Sequence, residues 1–352
     1  MTSHLPVSLC MIVKNEERFI GTALQSVRAV LGVEDVVVVD TGSSDRTREI
    51  ALENGANVFD FEWVDDFSAA RNFSAKMAEN DWILSIDADE ELTEAGLDEL
   101  AEFLADKKAV GVISLFDLTN KKHSALARLY NRTSYFYEGR IHEQLRAVDG
   151  VAGLLLKDVG ISMVHHGYLP EYNKIDAKLE RNENLLLAEL KNQPENPYLL
   201  YQLGKSYFCN DRDLLKACEC FEKALNFGAD VKFGYTYDLV ECYGYALINT
   251  GQYEKALSLR DTYSIYYDDR AQFRFLTAHI FQNNGMFAEA VDSYESCLDA
   301  DAKDKSGITS YLSYYNIGVI LECAGMPDDA AAVYKSCGDY PPALARLAEL
   351  GW

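Results

Sequence analysis

Two acids separated by one residue, Asp87 and Asp89, follow the apolar stretch Leu84 to Ile86 in the sequence LSIDADEEL, and Glu90 and Glu91 come directly after them. Carboxylates this close repel one another and raise each other's pKa unless a cation lies among them. On an extended backbone Asp87 and Asp89 point to the same side of the chain. Hard oxygen donors at the end of a buried strand suit Mg2+ or Mn2+, above all where substrate phosphates complete the coordination. A calcium EF-hand fits poorly, because the sixth position of a loop beginning at Asp87 is Leu92, where glycine is needed. A plainer reading is an acidic helix start, with Glu90, Glu91 and Glu94 favouring the helix dipole. The two readings are compatible.

The elements that must position these acids are legible upstream. Val7 to Val13 reads as a strand, and Glu17 to Val30 as a helix with Ile20, Leu24, Val27 and Leu31 on one face. Four valines, Val36 to Val39, form a second strand that ends at Asp40. In the TGSSDRT that follows, Gly42 permits a turn, and Ser44 or Asp45 can cap the helix running through Ile50. A short strand from Asn57 to Phe61, a helix from Ser68 to Ala78 and the strand Trp82 to Ile86 complete the alternation. Short apolar strands alternating with helices predict an α/β fold with an open, mainly parallel sheet. Such sheets bind ligands at the carboxyl ends of their strands, where Asp40 and Asp87 fall. The first strand is followed by KNEERF, with no GxGxxG, and no Walker A loop is present. A nucleotide on this sheet is therefore not held by a glycine-rich phosphate loop.

With 352 residues the chain can hold two domains, and 48% apolar residues argue against disorder. Its net charge of -23, divided evenly between the halves, excludes a nucleic-acid backbone as main partner and disfavours an anionic membrane surface. The eight cysteines sit singly or on helical patterns, as reduced core thiols do. No stretch approaches a membrane span, and the first residues lack a signal-peptide pattern. The expectation is a cytoplasmic protein with no stable membrane insertion.

The strands give way to a repeat after about residue 170, so the predicted domains are 1–170 and 171–352. Gly204, Gly244, Ala278 and Gly318 are each followed three positions later by Tyr207, Leu247, Phe281 and Leu321. Further on stand Ala217, Ala256, Ala290 and Ala330, then Phe221, Arg260, Tyr294 and Tyr334. This pattern resembles the tetratricopeptide repeat, whose helix pairs cross at small residues and fill the gap with aromatics. Arg260 departs from it.

SLCMIVKNEE, VVVVDTGSSDRT, WVDDFSAARNFS and DWILSIDADEEL, in this order, resemble the family-2 glycosyltransferases of the GT-A fold. With ARLYNRTSYFYEGRIHEQL, ISMVHHGY and the appended repeats, the chain is most similar to the sublancin-type peptide glycosyltransferase branch. The resemblance implies that Asp40 meets the uracil of a UDP-sugar and that Val13 and Lys14 line the nucleotide. It implies that Asp87 faces the ribose and the metal, and that Asp89 holds the metal bridging the two phosphates. A late loop often supplies a further ligand, which makes His165 the choice over His166. Arg71 serves as a forked donor to the nucleotide or pairs with Asp65 or Asp66.

Direct displacement with inversion needs a base for the attacking group. Glu143 is the first candidate and His142 the second, and the family's preference for aspartate keeps Asp117 in play. Arg140 or Arg128 would stabilise the diphosphate. A zinc-peptidase reading of His142 and Glu143 fails because position 146 is Arg.

The expected function is therefore inverting, Mn2+- or Mg2+-dependent transfer from a UDP-sugar to a peptide or protein. The repeats would present the acceptor or mediate a homodimer, and Tyr201, Tyr207, Tyr235, Tyr237, Tyr266 and Tyr267 would line a groove or pack between helices. Two alternatives stand beside it: a saccharide or lipid-linked acceptor, and a catalytically silent repeat scaffold.

Overall fold

The computed structural model describes residues 5–118, 123–151, 153–166, 175–298 and 306–352. The chain divides into two compact units, residues 1–189 and 190–352. The predicted boundary at residue 170 lies outside the described residues. The division falls later because helix α5 (Ile175–Asn192) runs on from the first unit, with Leu185 and Leu186 buried and Glu189 paired to Arg140 at 3.4 Å.

In the first unit β1 (Val7–Val13), β2 (Val36–Asp40), β3 (Asn57–Asp60) and β4 (Trp82–Ser85) are parallel. They join β5 (Glu90–Ala95), β6 (Ala109–Asp117), β7 (His123–Asn131) and β10 (Leu155–His165) in an eight-stranded sheet of order β3-β2-β1-β4-β7-β6-β10-β5. Only β7 and β5 run against the rest. A hairpin of β8 (Tyr135–Glu138) and β9 (Gln144–Ala147) stands apart from this sheet.

Side chains alternate across the sheet, so the four valines divide between two cores. Val36 and Val38 join Leu9, Met11 and the buried face of α1 (Ile20–Leu31), while Val37 and Val39 join Cys10, Ile83 and hairpin residues Tyr135, Tyr137 and Leu145. Helix α2 is Thr47–Glu53, α3 is Phe67–Met77, capped by Asp66 accepting from Ala69 N at 2.9 Å, and α4 is Leu97–Phe103.

One expectation is overturned. Glu90 to Glu94 do not open a helix. They form β5, antiparallel to β10 with His165 opposite Glu90, and Glu90 is buried. The pairing available along β10 overrides the local acidic signal.

The second unit is helical. Its described residues form the pairs α6 (Pro197–Phe208) with α7 (Leu214–Asn226), α8 (Gly234–Asn249) with α9 (Tyr253–Tyr267), α10 (Ala271–Asn283) with α11 (Phe287–Leu298) and α12 (Tyr311–Cys323) with α13 (Pro327–Lys335), followed by α14 (Pro341–Leu350). A Cβ on Gly204 would lie 2.5 Å from Phe221, and one on Gly318 would lie 2.5 Å from Tyr334, so these helix crossings admit no larger residue. Ala217, Ala256, Ala290 and Ala330 are fully buried at the matching positions. The second repeat departs as its sequence foretells. With Arg260 in place of the aromatic, Gly244 is filled from the next repeat, its missing Cβ facing Leu276 at 2.7 Å.

Of the tyrosines proposed to line a groove, Tyr201, Tyr207 and Tyr267 are buried, Tyr235 and Tyr237 are partly buried, and only Tyr266 is largely exposed. Packing accounts for most of them. All eight cysteines are free thiols, and among the described residues no helix is long and apolar enough to cross a membrane.

Candidate functional site

The sheet gathers the candidate residues at one edge. In the parallel ladder Val13 lies opposite Asp40, and Asp87 follows β4 two residues after its last strand position. On the far side, Asp117 ends β6 directly opposite His165, which ends β10. Strand β7 enters this edge from the opposite direction, bringing Arg128 to the loop that carries Asp87.

Asp40 is buried, and its Oδ1 accepts from Gly42 N at 3.1 Å and Ser43 N at 2.8 Å, which fixes the carboxylate in its own turn. Gly42 takes φ 105°, which a residue with a Cβ rarely adopts. The Val13 carbonyl is taken up by Thr41, whose N and Oγ1 both donate to it at 3.0 Å. Lys14 is exposed, beside Asn15 in a left-handed conformation. Val13 thus braces the edge, while Lys14 reaches solvent from it.

Asp87 is clasped by two arginines. Its Oδ1 accepts from Arg71 Nη2 at 2.8 Å and its Oδ2 from Arg128 Nη2 at 2.9 Å. Burial opposes its charge, but Arg128 and Arg71 outweigh that and hold the carboxyl well below the usual range. Both oxygens face guanidinium groups rather than a metal position. Arg71 forms no ion pair with Asp65 or Asp66. Its Nε donates to Glu143 and its Nη1 to Ser85 Oγ at 2.9 Å, while Asp65 accepts from Trp63 and Asp66 caps α3. Glu90 was not foreseen as part of this network. Its Oε2 accepts from Asp87 N at 2.8 Å and its Oε1 from Arg128 Nη2 at 3.0 Å. Burial pushes Glu90 up to about 7, against the pull of Arg128.

Asp89 stands apart from the arginines. Its Oδ2 is 3.2 Å from His165 Nε2, and His165 Nδ1 is 3.5 Å from Asp117 Oδ2. Burial lowers the imidazole pKa, but Asp89, Glu90 and Asp117 together raise it above its ordinary value. His165 comes from the end of a strand, not from a loop. His166 turns to the other side, where its Nε2 lies 3.3 Å from Glu91 Oε1 and its ring stacks on Phe19.

Two donors bound at right angles to one octahedral Mg2+ or Mn2+, each about 2.1 Å from the ion, stand about 3 Å apart. The Asp89 to His165 separation matches that spacing and is also within reach of a hydrogen bond, so a divalent ion would take the place of the proton between them, with Asp117 on the other ring nitrogen orienting the ring. Among the described residues no three His, Cys, Asp or Glu side chains converge as a ready cage. A divalent ion here would take its remaining ligands from phosphate and water, as Mg2+ commonly does.

Of the proposed bases, Glu143 is half-buried and tethered to Arg71, and His142 is exposed at φ 52° in the loop between β8 and β9. Asp117 is engaged with His165. Arg140 of the same loop accepts from Phe67 N at 2.9 Å through its carbonyl, and its side chain pairs with Glu189. It therefore takes no part in the cluster around Asp87, and Arg128 does.

Residues 8–154 match glycosyl transferase family 2, and residues 271–304 match the tetratricopeptide repeat. A tetratricopeptide-repeat-containing protein of Synechococcus elongatus is 35% identical over 210 residues, which cover 56% of this chain and 51% of that protein. The prophage-derived glycosyltransferase SunS of Bacillus subtilis is 28% identical over 239 residues, covering 64% of this chain and 54% of its own length. The crystal structure of MamA aligns with a TM-score of 0.39 at 19% identity, over 51% of this chain and 98% of that one. The chain spans about half the length of the curated relatives it matches.

Proposed function

We propose that this chain, a glycosyltransferase family 2 domain joined to tetratricopeptide repeats, transfers a sugar from a UDP-sugar to a peptide or protein, with inversion and with a divalent ion. The observation that carries this reading is the convergence at one sheet edge of a carboxylate fixed in its own turn, a carboxylate clasped by two arginines and an acid–histidine pair 3.2 Å apart.

Asp40, held through Oδ1, would present its other oxygen to the uracil N–H. Asp87, kept ionised by Arg71 and Arg128, would accept from the ribose, and the arginines would add positive charge beside the diphosphate. Asp89 and His165 would hold Mn2+ or Mg2+, with Asp117 positioning the histidine. The ion's chemistry is to neutralise charge on the departing UDP. Glu143, held through one oxygen by Arg71, would take the proton from the acceptor. The resemblance of the motifs to the sublancin-type peptide glycosyltransferases favours a peptide or protein acceptor, and helical repeats commonly bind extended segments.

Asp89→Asn tests this directly. UDP release from a panel of UDP-sugars should fall by about 10²- to 10³-fold, and quenching of the free Mn2+ signal in electron paramagnetic resonance should be lost. Near-normal UDP release by this variant at saturating Mn2+ would remove the ion from the reaction.

A further inference from the structure

Glu143 lies in the loop of the β8–β9 hairpin, and among the described residues no ladder joins that hairpin to the eight-stranded sheet. Helix α3 holds it instead. Tyr137 lies opposite Leu145 of β9, and its main-chain groups turn outward to the side chain of Asn72. Tyr137 N donates to Asn72 Oδ1 at 2.9 Å, and Asn72 Nδ2 donates to the Tyr137 carbonyl at 2.8 Å. The N–H and C=O on the outer side of a strand need a partner, which a neighbouring strand usually supplies. A carboxamide carries a donor and an acceptor together, as a peptide group does, so asparagine stands in for the missing strand.

Two further contacts tie the same loop to α3. Phe67 N donates to the Arg140 carbonyl at 2.9 Å, and Arg71 Nε donates to Glu143. Arg71 and Asn72 are adjacent in sequence but serve different ends. Arg71 also holds Asp87 and Ser85, so replacing it disturbs the nucleotide side of the site. The amide of Asn72 serves the hairpin alone.

We infer that Asn72 is a positioning residue, holding the hairpin on α3 so that Glu143 meets the Arg71 guanidinium. The inference rests on Glu143 as the base of the proposed transfer. Losing the amide leaves Glu143 chemically intact but frees its loop to shift, and a displacement of about 1 Å is enough to cost a reaction its aligned geometry.

The test reads the loop and the reaction separately, on the full chain. The Arg140–Ile141 bond is shielded from trypsin, since the Arg140 carbonyl is bonded to Phe67 and Ile141 is buried. Asn72→Ala should speed cleavage there about tenfold while circular dichroism shows the protein folded. In UDP release from a UDP-sugar that the parent turns over, Asn72→Ala should lower kcat about tenfold and leave KM for the sugar nucleotide unchanged. Glu143→Gln should lower kcat by about 10²-fold or more. Adding Asn72→Ala to it should lower kcat no further, because one residue acts through the other; a merely structural contact would slow both backgrounds alike. If Asn72→Ala does not fold, Asn72→Asp, which keeps the acceptor for Tyr137 N and loses the donor, carries the same measurements. Unchanged cleavage after Arg140, an unchanged kcat, or an equal fall in the Glu143→Gln background would each overturn the inference. Glu143→Gln at the parent rate would overturn the choice of base and its positioning together. No UDP release by the parent would refute the proposed function, and the cleavage rate would still decide whether Asn72 holds the loop.

Discussion

Replacing Arg128 with methionine tests the acidic network at its most buried point. The arginine donates to Asp87 at 2.9 Å and to Glu90 at 3.0 Å, and the Glu90 side chain is only 3% exposed. Removing one partner of a buried ion pair costs about 3–5 kcal/mol, because the remaining charge is uncompensated. Two features hold the cost to the lower end. Asp87 is more open to solvent, at 37%, and keeps Arg71. Glu90, already lifted to about 7 by burial, would take up a proton at neutral pH once Arg128 is gone. The expected loss is about 3 kcal/mol, or roughly 6–12 °C in Tm for a unit of this size. Adding Glu90→Gln removes the cost of taking up that proton on folding and keeps an oxygen for the Asp87 N–H, so the double variant should recover about 1–2 kcal/mol. Urea unfolding followed through the buried Trp82 of β4 measures both. An Arg128→Met protein as stable as the parent, or a double variant no better than the single one, would refute the reasoning.

Two further outcomes follow from the repeats. Gly318→Ala should destabilise by about 1 kcal/mol more than Gly244→Ala, as read by chemical unfolding. Its Cβ meets a fully buried Tyr334 ring whose hydroxyl is pinned on Glu322 at 2.9 Å, whereas the Cβ at Gly244 meets the methyl end of Leu276. His279, packed against Tyr245, Phe275 and Tyr294, has its pKa lowered by burial. Its contribution is therefore complete above the unfolded value of about 6.5 and is lost as pH falls below it. The stability gap between the parent and His279→Gln should narrow from pH 7.5 to pH 5; a constant gap would contradict the assignment.

The first four strands were legible because valine-rich runs, turn residues and helical faces agree locally. Strands β6 to β10 were not read, since HSALARLYN and LLKDVGISMVH carry weak alternation and gain their stability from neighbours far along the chain. Asp40, Asp87 and Asp89 stood out as acids closing apolar strands. The partners of Asp87 did not, because Arg71 and Arg128 lie 16 and 41 positions away and meet it only where helix α3 and strand β7 pack beside β4. Glu90 was misread for a related reason: Glu90, Glu91 and Glu94 look like a helix start until β10 is there to pair with them. In the second half the periodicity of small and aromatic residues exposed the repeats, and the single exception, Arg260, marked the place where packing changes hands.

Arg71 links the Glu143 loop, strand β4 and the Asp87 turn through one planar side chain. Every oxygen that an incoming ligand would ask it to serve is already represented by one of the protein's own. Recruiting this guanidinium is thus an exchange of partners, and the loop bearing Glu143 must register that exchange at the moment it occurs. Occupancy at the strand ends and the posture of that loop are two readings of the same bond.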